Sequence, residues 1–274
     1  MTLAHVDGSS RADDPIGVFD SGVGGLSVLN ALREALPHER FVYFADTAHA
    51  PYGERGDAFV AERSASVARA LIEAHRIKAL VVACNTATAA AIHRLRAEHA
   101  ALPVVGVEPA LKPAVALSRT GHIAVLATRV TIESDKFQAL HASLAGQASF
   151  SLVPCDGLAG AIERGDAPRI AALCAQYVSA AGRFGNGDGE LDTLVLGCTH
   201  YPFITDELRR HTGTAVRFID TGAPVAQQTR RLLDRAGLLR ADARGDVRGE
   251  LRLLSSGAPE SLDAAAARWL APTA

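Results

Sequence analysis

The length and composition of the chain are those of an ordinary globular protein with room for two domains. Its 274 residues allow two domains of about 100 to 150 residues each, and 48% hydrophobic against 21% charged residues exclude a disordered chain. A net charge of −2 indicates no nucleic-acid surface, and no apolar run reaches the roughly 18 residues of a membrane-spanning helix. We therefore expect neither nucleic acid nor a membrane as a partner.

The first residues and the cysteine content indicate a protein of the reducing cytoplasm. Residues 1–14, MTLAHVDGSSRADD, are polar and small, and they predict a mobile N-terminal tail without the pattern of a secretory signal. Four cysteines are too few for a disulfide framework in a chain of this length.

From Pro15 onwards, short apolar runs alternate with segments of helical period. The predicted strands are, in chain order, IGVFD, RFVYFAD, ALVVACN, VVGVEP, HIAVLAT, FSLVPC, TLVLGC, VRFID and LRLLSS. Helices are predicted at Gly25–Ala35, Asp57–Ile77, Ala87–Glu98, Ile170–Ala181 and Pro224–Leu239, and GNGDGE at Gly185–Glu190 is a loop. This alternation is typical of β-α-β units, so we expect an α/β fold with mainly parallel sheets flanked by helices.

Polar and reactive residues lie at the carboxyl ends of the predicted strands. These residues are Asp20, Ser21, Asp46, Cys84, Glu108, Thr128, Cys155, Cys198 and Asp220. In open α/β sheets, ligands bind beyond these ends of the strands. Two of the ends are alike, because Cys84 precedes Asn85 and Thr86, and Cys198 precedes Thr199 and His200. We interpret them as two half-sites that face each other across a cleft between two similar domains.

The four cysteines differ in their surroundings. Cys174 lies in the helical segment IAALCAQYV and is predicted to be a core residue. Cys155 ends a strand, but Asp156 and Gly157 after it offer neither a hydroxyl nor an imidazole, which favours a structural role. Cys84 and Cys198 lie at polar corners where packing does not need sulfur, and this favours a chemical role.

Three cofactor classes find little support in the sequence. DSGVGG resembles a dinucleotide-binding turn, but Ser27 occupies the third glycine position and the charge of Asp20 would repel a pyrophosphate. Cys84, Cys198 and His200 could bind zinc, yet no Cys-x-x-Cys pair is present. The three lysines, Lys78, Lys112 and Lys136, follow no phosphate-binding glycine loop of the kind a pyridoxal enzyme needs. We expect no cofactor and no metal.

Four segments together resemble the glutamate racemases of the cofactor-independent aspartate/glutamate racemase family. These segments are GVFDSGVGGLSVL, YFADTAHAPYG, ACNTATA and GCTHYP, and the resemblance extends from about Pro15 to Asp220. It implies a two-domain enzyme that interconverts L- and D-glutamate and supplies D-glutamate for peptidoglycan. It also implies a homodimer, a first domain of residues 15–108 and 219–274, and a second domain of residues 109–218.

The resemblance also assigns roles to individual residues. It implies catalytic roles for Cys84 and Cys198, with Asp20, His200 and, with a looser match, Glu163 as helpers. The substrate-binding positions that it implies are Asp20, Ser21, Tyr52, Gly53, Asn85, Thr86, Thr128, Thr199 and His200. Cys84 would act on the D-enantiomer and Cys198 on the L-enantiomer.

A racemase explains why two cysteines would lie at two equivalent corners. Moving a hydrogen from one face of a carbon to the other needs one base on each side, and two thiols can provide them. A free thiol has a pKa near 8.5, so each needs help from a neighbour at neutral pH. There are three alternatives: an aspartate racemase, a one-cysteine relative and a non-catalytic dicarboxylate-binding protein. The first stays open because one methylene separates aspartate from glutamate.

Overall fold

The protein consists of two α/β domains, each built on a parallel sheet. The computed structural model describes residues 11–240 and 248–270. The first sheet has the strand order β4-β3-β1-β2-β9 and the second has the order β6-β5-β7-β8, with every neighbouring pair parallel. The strands are β1 Ile16–Asp20, β2 Phe41–Ala45, β3 Ala79–Val82, β4 Val104–Gly106, β5 His122–Ala127, β6 Ser149–Pro154, β7 Thr193–Gly197, β8 Arg217–Ile219 and β9 Leu251–Ser255. The predicted fold class is confirmed.

Helices connect the strands and flank both sheets. The α-helices are α1 Leu26–Ala35, α2 Asp57–His75, α3 Asn85–Glu98, α4 Leu111–Leu117, α5 Arg129–Glu133, α6 Asp135–Ala142, α7 Leu158–Arg164, α8 Ala167–Ala181, α9 Thr205–Thr212, α10 Gly222–Arg235 and α11 Pro259–Trp269. Short 3₁₀ helices occur at Thr47–His49, Tyr52–Glu54 and Tyr201–Ile204. The five helices predicted from the sequence are all present, with shifted ends.

The shifted helix ends have local causes. Helix α2 ends at His75 rather than at Ile77 because Arg76 adopts a left-handed conformation with φ of 49°, which terminates a helix. Helix α3 begins at Asn85, two residues before the predicted start, because the Cys84 sulfur accepts a hydrogen bond from Ala87 N and caps the first turn.

Each sheet is covered by apolar side chains on both faces. Alternate residues of β1 point to opposite faces, so Val18 packs in one buried cluster and Phe19 in another. Cys174 is fully buried in a cluster on one face of the second sheet, so the prediction that it is a core residue is confirmed. Parallel strands buried on both faces require the continuous apolar runs that the sequence shows.

Strand register places the carboxyl ends of neighbouring strands side by side. In the first sheet, Phe19 pairs with Val82, which brings Asp20 and Ser21 next to Ala83 and Cys84. In the second sheet, Ala127 pairs with Gly197, so Thr128 and Cys198 leave adjacent strands together. The opposite end of β3 carries Lys78, which is buried against Glu39 with a Nζ to Oε2 distance of 2.5 Å, far from this rim.

The described end of the predicted tail contacts the first domain. Asp14 accepts a hydrogen bond from Arg76, and Asp13 accepts one from Arg240. Residues 1–10 of the predicted tail lie outside the described residues. Within the part of the chain that the structure describes, no helix is long and apolar enough to cross a membrane.

Candidate active site

The carboxyl ends of the two sheets enclose a cavity of about 220 Å³ between the domains. Ten predicted site residues line it: Ser21, Tyr52, Gly53, Cys84, Asn85, Thr86, Thr128, Cys198, Thr199 and His200. The other two, Asp20 and Glu163, lie behind this lining. The cavity is smaller than the roughly 300 to 1,000 Å³ of sites for drug-sized ligands, which fits a small substrate.

The Cys84 side of the cavity is deeply buried. Cys84 caps helix α3 at the end of β3, and its Sγ donates to Ser21 Oγ over 3.7 Å. Asp20 Oδ2 accepts a short bond of 2.6 Å from Gly25 N at the start of α1, while Oδ1 has no hydrogen-bond partner among the described residues. Burial raises the pKa of both the Cys84 thiol and the Asp20 carboxyl, and the Asp20 charge raises that of Cys84 further. This side therefore holds its protons tightly.

The Cys198 side of the cavity contains a charged relay. Cys198 Sγ lies 3.6 Å from His200 Nδ1, and His200 Nε2 lies 3.1 Å from Glu163 Oε1. Burial acts to lower the pKa of His200, but the hydrogen bonds and charges of Cys198 and Glu163 outweigh it and raise that pKa well above its usual value. Although burial opposes it, His200 also holds the pKa of Glu163 below its usual range. An imidazolium ion held between the Glu163 carboxylate and the Cys198 sulfur is the expected state of His200.

The two corners are less alike than the sequence indicates. Cys84 is followed directly by the α-helix Asn85–Glu98, whereas Cys198 is followed by a turn and a 3₁₀ helix before α9 begins at Thr205. Pro202 lies in that 3₁₀ helix and has no backbone N–H, so it could not donate the hydrogen bond that the interior of an α-helix requires. The prediction of two equivalent strand-to-helix corners is therefore wrong in this local detail, although both cysteines do line one cavity.

Among the described residues, three hydrogen bonds join the two domains around the cavity. The hydroxyls of Thr86 and Thr128 lie 3.3 Å apart. Ser27 Oγ donates to the carbonyl of Thr199 over 2.8 Å, and Val23 N donates to Glu163 Oε1 over 2.9 Å. The glycines of the first turn make this approach possible, because a Cβ on Gly22 would lie 1.7 Å from Glu163 Oε1. The two domains thus meet around one cavity that both thiols line.

Comparison with known proteins identifies the family. Residues 16–229 match the Asp/Glu/Hydantoin racemase family. The chain belongs to this racemase family. A protein named glutamate racemase from Pseudomonas syringae pv. tomato is 48% identical over 231 residues, which cover 83% of this chain and 81% of the relative.

Solved structures of proteins named glutamate racemase have the same fold as this chain. The RacE1 isoform from Bacillus anthracis has a TM-score of 0.81 and 30% identity, with 94% of both chains covered. The Francisella tularensis enzyme, solved in complex with D-glutamate, has a TM-score of 0.78 and 29% identity, again with 94% of both chains covered. The predicted resemblance to the glutamate racemases is confirmed.

A carboxylate network behind Tyr52 was not recognised from the racemase motifs. Asp46 is fully buried, and it accepts a bond of 2.6 Å from the Tyr52 hydroxyl and two of 2.7 Å from Arg63. Burial acts to raise the pKa of Asp46, but these hydrogen bonds outweigh it and lower that pKa to about 2. The position of Asp46 at a strand end is visible in the sequence. Its partner Arg63 lies more than one turn inside α2, and no sequence pattern links the two residues. Asp46 thus fixes the segment that brings Tyr52 and Gly53 to the cavity.

Two further residues that line the cavity, Cys155 and Arg129, were not predicted as site residues. Cys155 lines the cavity, is buried, and donates to the carbonyl of Val153 over 3.4 Å. Arg129 also lines it, is half exposed, and binds Asp156 with a distance of 2.6 Å. Burial raises the pKa of Cys155, so this thiol keeps its proton at neutral pH. In the described ranges, no three His, Cys, Asp or Glu side chains are grouped so that they could hold a metal ion.

Proposed function

We propose that this protein interconverts L- and D-glutamate by a two-base mechanism in which Cys84 and Cys198 are the two bases. The observation that carries the proposal is that the two domains each contribute one cysteine, with its own helper groups, to the same cavity. The names of its relatives support glutamate as the substrate, as does the D-glutamate bound in the Francisella tularensis enzyme.

The polar lining suits an amino acid with two carboxylates. Ser21, Thr86 and Thr199 offer hydroxyls, and neither polar atom of the buried Asn85 amide has a hydrogen-bond partner among the described residues. A buried amide without partners costs free energy, so a ligand that binds it recovers that cost. We propose that Tyr52, Gly53 and Thr128 complete the recognition of the substrate.

The two sides differ in their resting protonation. Because the pKa of Cys84 is raised, its thiol retains its proton and is the donor. Because His200 is held as a cation beside Cys198, the sulfur of Cys198 is the side prepared to accept a proton. The resting enzyme is then ready to act on the enantiomer whose α-hydrogen faces Cys198, which the family resemblance assigns to L-glutamate. Since the groups interact, measured pKa values belong to the pair rather than to one residue.

Each turnover removes one proton from the substrate and adds a different proton to its opposite face. Cys198 thiolate removes the α-hydrogen, the C–H electron pair stays on the α-carbon as a carbanion, and Cys84 delivers its proton to the opposite face. Asp20, next to Cys84, assists that transfer, and His200 stabilises the thiolate of Cys198. The reverse reaction uses the same groups with exchanged roles. Among the described residues, the thiols and their helpers supply every proton that the reaction needs, so the proposal requires no cofactor.

The wider role of the protein follows from the resemblance. We propose that it works in the cytoplasm as a homodimer and supplies D-glutamate for peptidoglycan. All four cysteines are free, as expected in a reducing compartment. We also propose that the domain boundaries lie near Glu108 and Phe218, because the first sheet takes its strands from residues 16–106 and 251–255.

Optical rotation tests the proposal directly. Purified protein incubated with L-glutamate and no added cofactor should bring the rotation to zero, because racemisation ends in an equal mixture. Aspartate as a parallel substrate separates the two dicarboxylates. If the protein binds glutamate and the rotation never changes, it is a binding protein and the proposal is wrong.

A further inference from the structure

A second cavity lies on the far side of the His200–Glu163 pair. It has a volume of about 470 Å³, and it is lined by Glu163, Arg164 and by residues of helix α11 that include Ser261, Ala264 and Trp269. The substrate cavity and this second cavity share no lining residue. His200 lines the first and Glu163 lines the second, so the 3.1 Å bond between them crosses the wall that separates the cavities.

The geometry of Glu163 suits a group that exchanges protons with solvent. Its side chain keeps 19% of its surface exposed, while that of His200 keeps 5%. Glu163 Oε1 accepts both from Val23 N and from His200 Nε2. These two bonds both hold Oε1 in place, and the side chain keeps its exposed surface next to the second cavity.

The Cys84 side offers no matching route. Asp20 is completely buried and lines neither cavity. Its Oδ2 is bonded to Gly25 N, a backbone group that cannot pass a proton on. Within the described residues, the route left for protons on this side is the substrate cavity itself, which Cys84 lines.

A two-base racemase has to restore its protonation state after each turnover. After L-glutamate becomes D-glutamate, Cys198 carries a proton that it must lose and Cys84 lacks one that it must gain. We propose, on the basis of the racemase function above, that the Cys198–His200 pair releases its extra proton from His200 through Glu163 into the second cavity. This route would leave the substrate cavity free for the proton that returns to Cys84.

The proton transfers balance. After the reaction, the Cys198 sulfur and both ring nitrogens of His200 carry a proton. His200 passes its Nε2 proton to Glu163 as the N–H bond breaks, and Glu163 releases a proton to solvent, so the Cys198–His200 pair returns to the two protons that it held before the reaction. Cys84 forms a new S–H bond with a proton from solvent once the product has left. One proton leaves the enzyme and one enters, so the overall charge is unchanged.

Steady-state kinetics test this route, with and without a small diffusible buffer such as imidazole. The first variant is Glu163→Gln. Restoration of the free enzyme limits turnover only when substrate is saturating, so the loss in kcat should exceed the loss in kcat/KM, and we expect a fall in kcat of at least about ten-fold. Imidazole added to the assay should restore part of the lost kcat. Equal losses in kcat and kcat/KM, with no response to imidazole, would show that Glu163 only positions His200.

A block in the second cavity provides an arm that leaves the relay residues intact. Ala264→Trp places a large side chain in this cavity, whereas Ala267→Trp makes the same change at an exposed position of α11 outside its lining. We expect Ala264→Trp to lower kcat and to leave kcat/KM unchanged, and Ala267→Trp to change neither. In a Glu163→Gln and Ala264→Trp double variant, rescue by imidazole should disappear.

The outcomes separate this inference from the proposed function. If Ala264→Trp behaves like Ala267→Trp, or if imidazole rescues the double variant equally well, protons leave by the substrate cavity and the route is wrong. Either result would leave the racemase function intact, because both are measured against an active wild-type enzyme. If the wild-type protein does not racemise glutamate, the proposed function fails first.

Discussion

Replacement of Asp46 by asparagine should weaken both the fold and substrate binding. The pKa of Asp46 is about 2 in the folded protein, against 3.8 for the free side chain. One pKa unit is worth about 1.4 kcal/mol, so the charge of Asp46 contributes about 2 kcal/mol of stability at neutral pH. The carboxylate is buried, so solvent does not screen this contribution. The pKa is lowered on folding, so the stabilisation is complete above pH 3.8 and is lost as the pH falls through about 2.

Asp192 provides a matched control in the second domain. It too is buried and has a pKa of about 2, since Ser118, the backbone of Arg119 and Thr120, and Thr193 donate hydrogen bonds to it and outweigh its burial. Asp192→Asn should therefore cost a similar free energy of unfolding. Neither Asp192 nor any of these hydrogen-bond donors lines the cavity, so Asp192→Asn should leave KM unchanged.

Denaturant unfolding at several pH values and steady-state kinetics form the assay. The difference in unfolding free energy between wild type and Asp46→Asn should be about 2 kcal/mol at pH 7 and should shrink as the pH approaches 2. KM for glutamate should rise several-fold in Asp46→Asn alone, because Tyr52 and Gly53 lose the anchor that Arg63 and Asp46 provide. A pH-independent stability difference, or an equal rise of KM in both variants, would refute this reasoning.

Three further predictions concern the glycine turn, the other cysteines and cofactors. Gly22→Ala should displace Glu163 and lower kcat, whereas Gly56→Ala, where a Cβ would meet nothing within 4 Å, should not; equal activities would contradict the close approach. Cys174→Ala should cost roughly 1 kcal/mol of stability and keep activity, and Cys155→Ser should keep activity too, while a folded but inactive Cys155→Ser protein would show that the wrong pair was chosen. Activity should survive dialysis against a chelator and hydroxylamine; restoration of a lost activity by zinc or pyridoxal phosphate would contradict the thiol mechanism.

The sequence predicts the fold class well because parallel strands buried on both faces leave a strong signal. Apolar runs such as ALVV at β3 end at polar residues, and the register of the strands then brings these residues to one rim. The apolar helical segment around Cys174 likewise identified this cysteine as a core residue. Ten of the twelve predicted site residues line the cavity because they follow strands or lie in the adjoining motifs.

Features that depend on tertiary contacts were not predictable. The partnership of Asp46 with Arg63 depends on how α2 packs against β2, and no local pattern encodes it. The second cavity joins Glu163 of α7 to Ser261 of α11, two helices that are distant in sequence. The end of α2 depends on the left-handed conformation of Arg76, a residue type that gives no signal for it.

The central claim is that Cys84 and Cys198 act on opposite faces of one α-carbon. Its most direct test is elimination from a β-substituted glutamate with a good leaving group, a reaction that needs proton removal but no reprotonation of the α-carbon. Cys84→Ser should lose racemisation yet still eliminate from the L-isomer through Cys198, and Cys198→Ser should eliminate only from the D-isomer through Cys84. Equal losses on both isomers in both folded variants would show that the two thiols do not face each other across the substrate, and the two-base mechanism would be wrong.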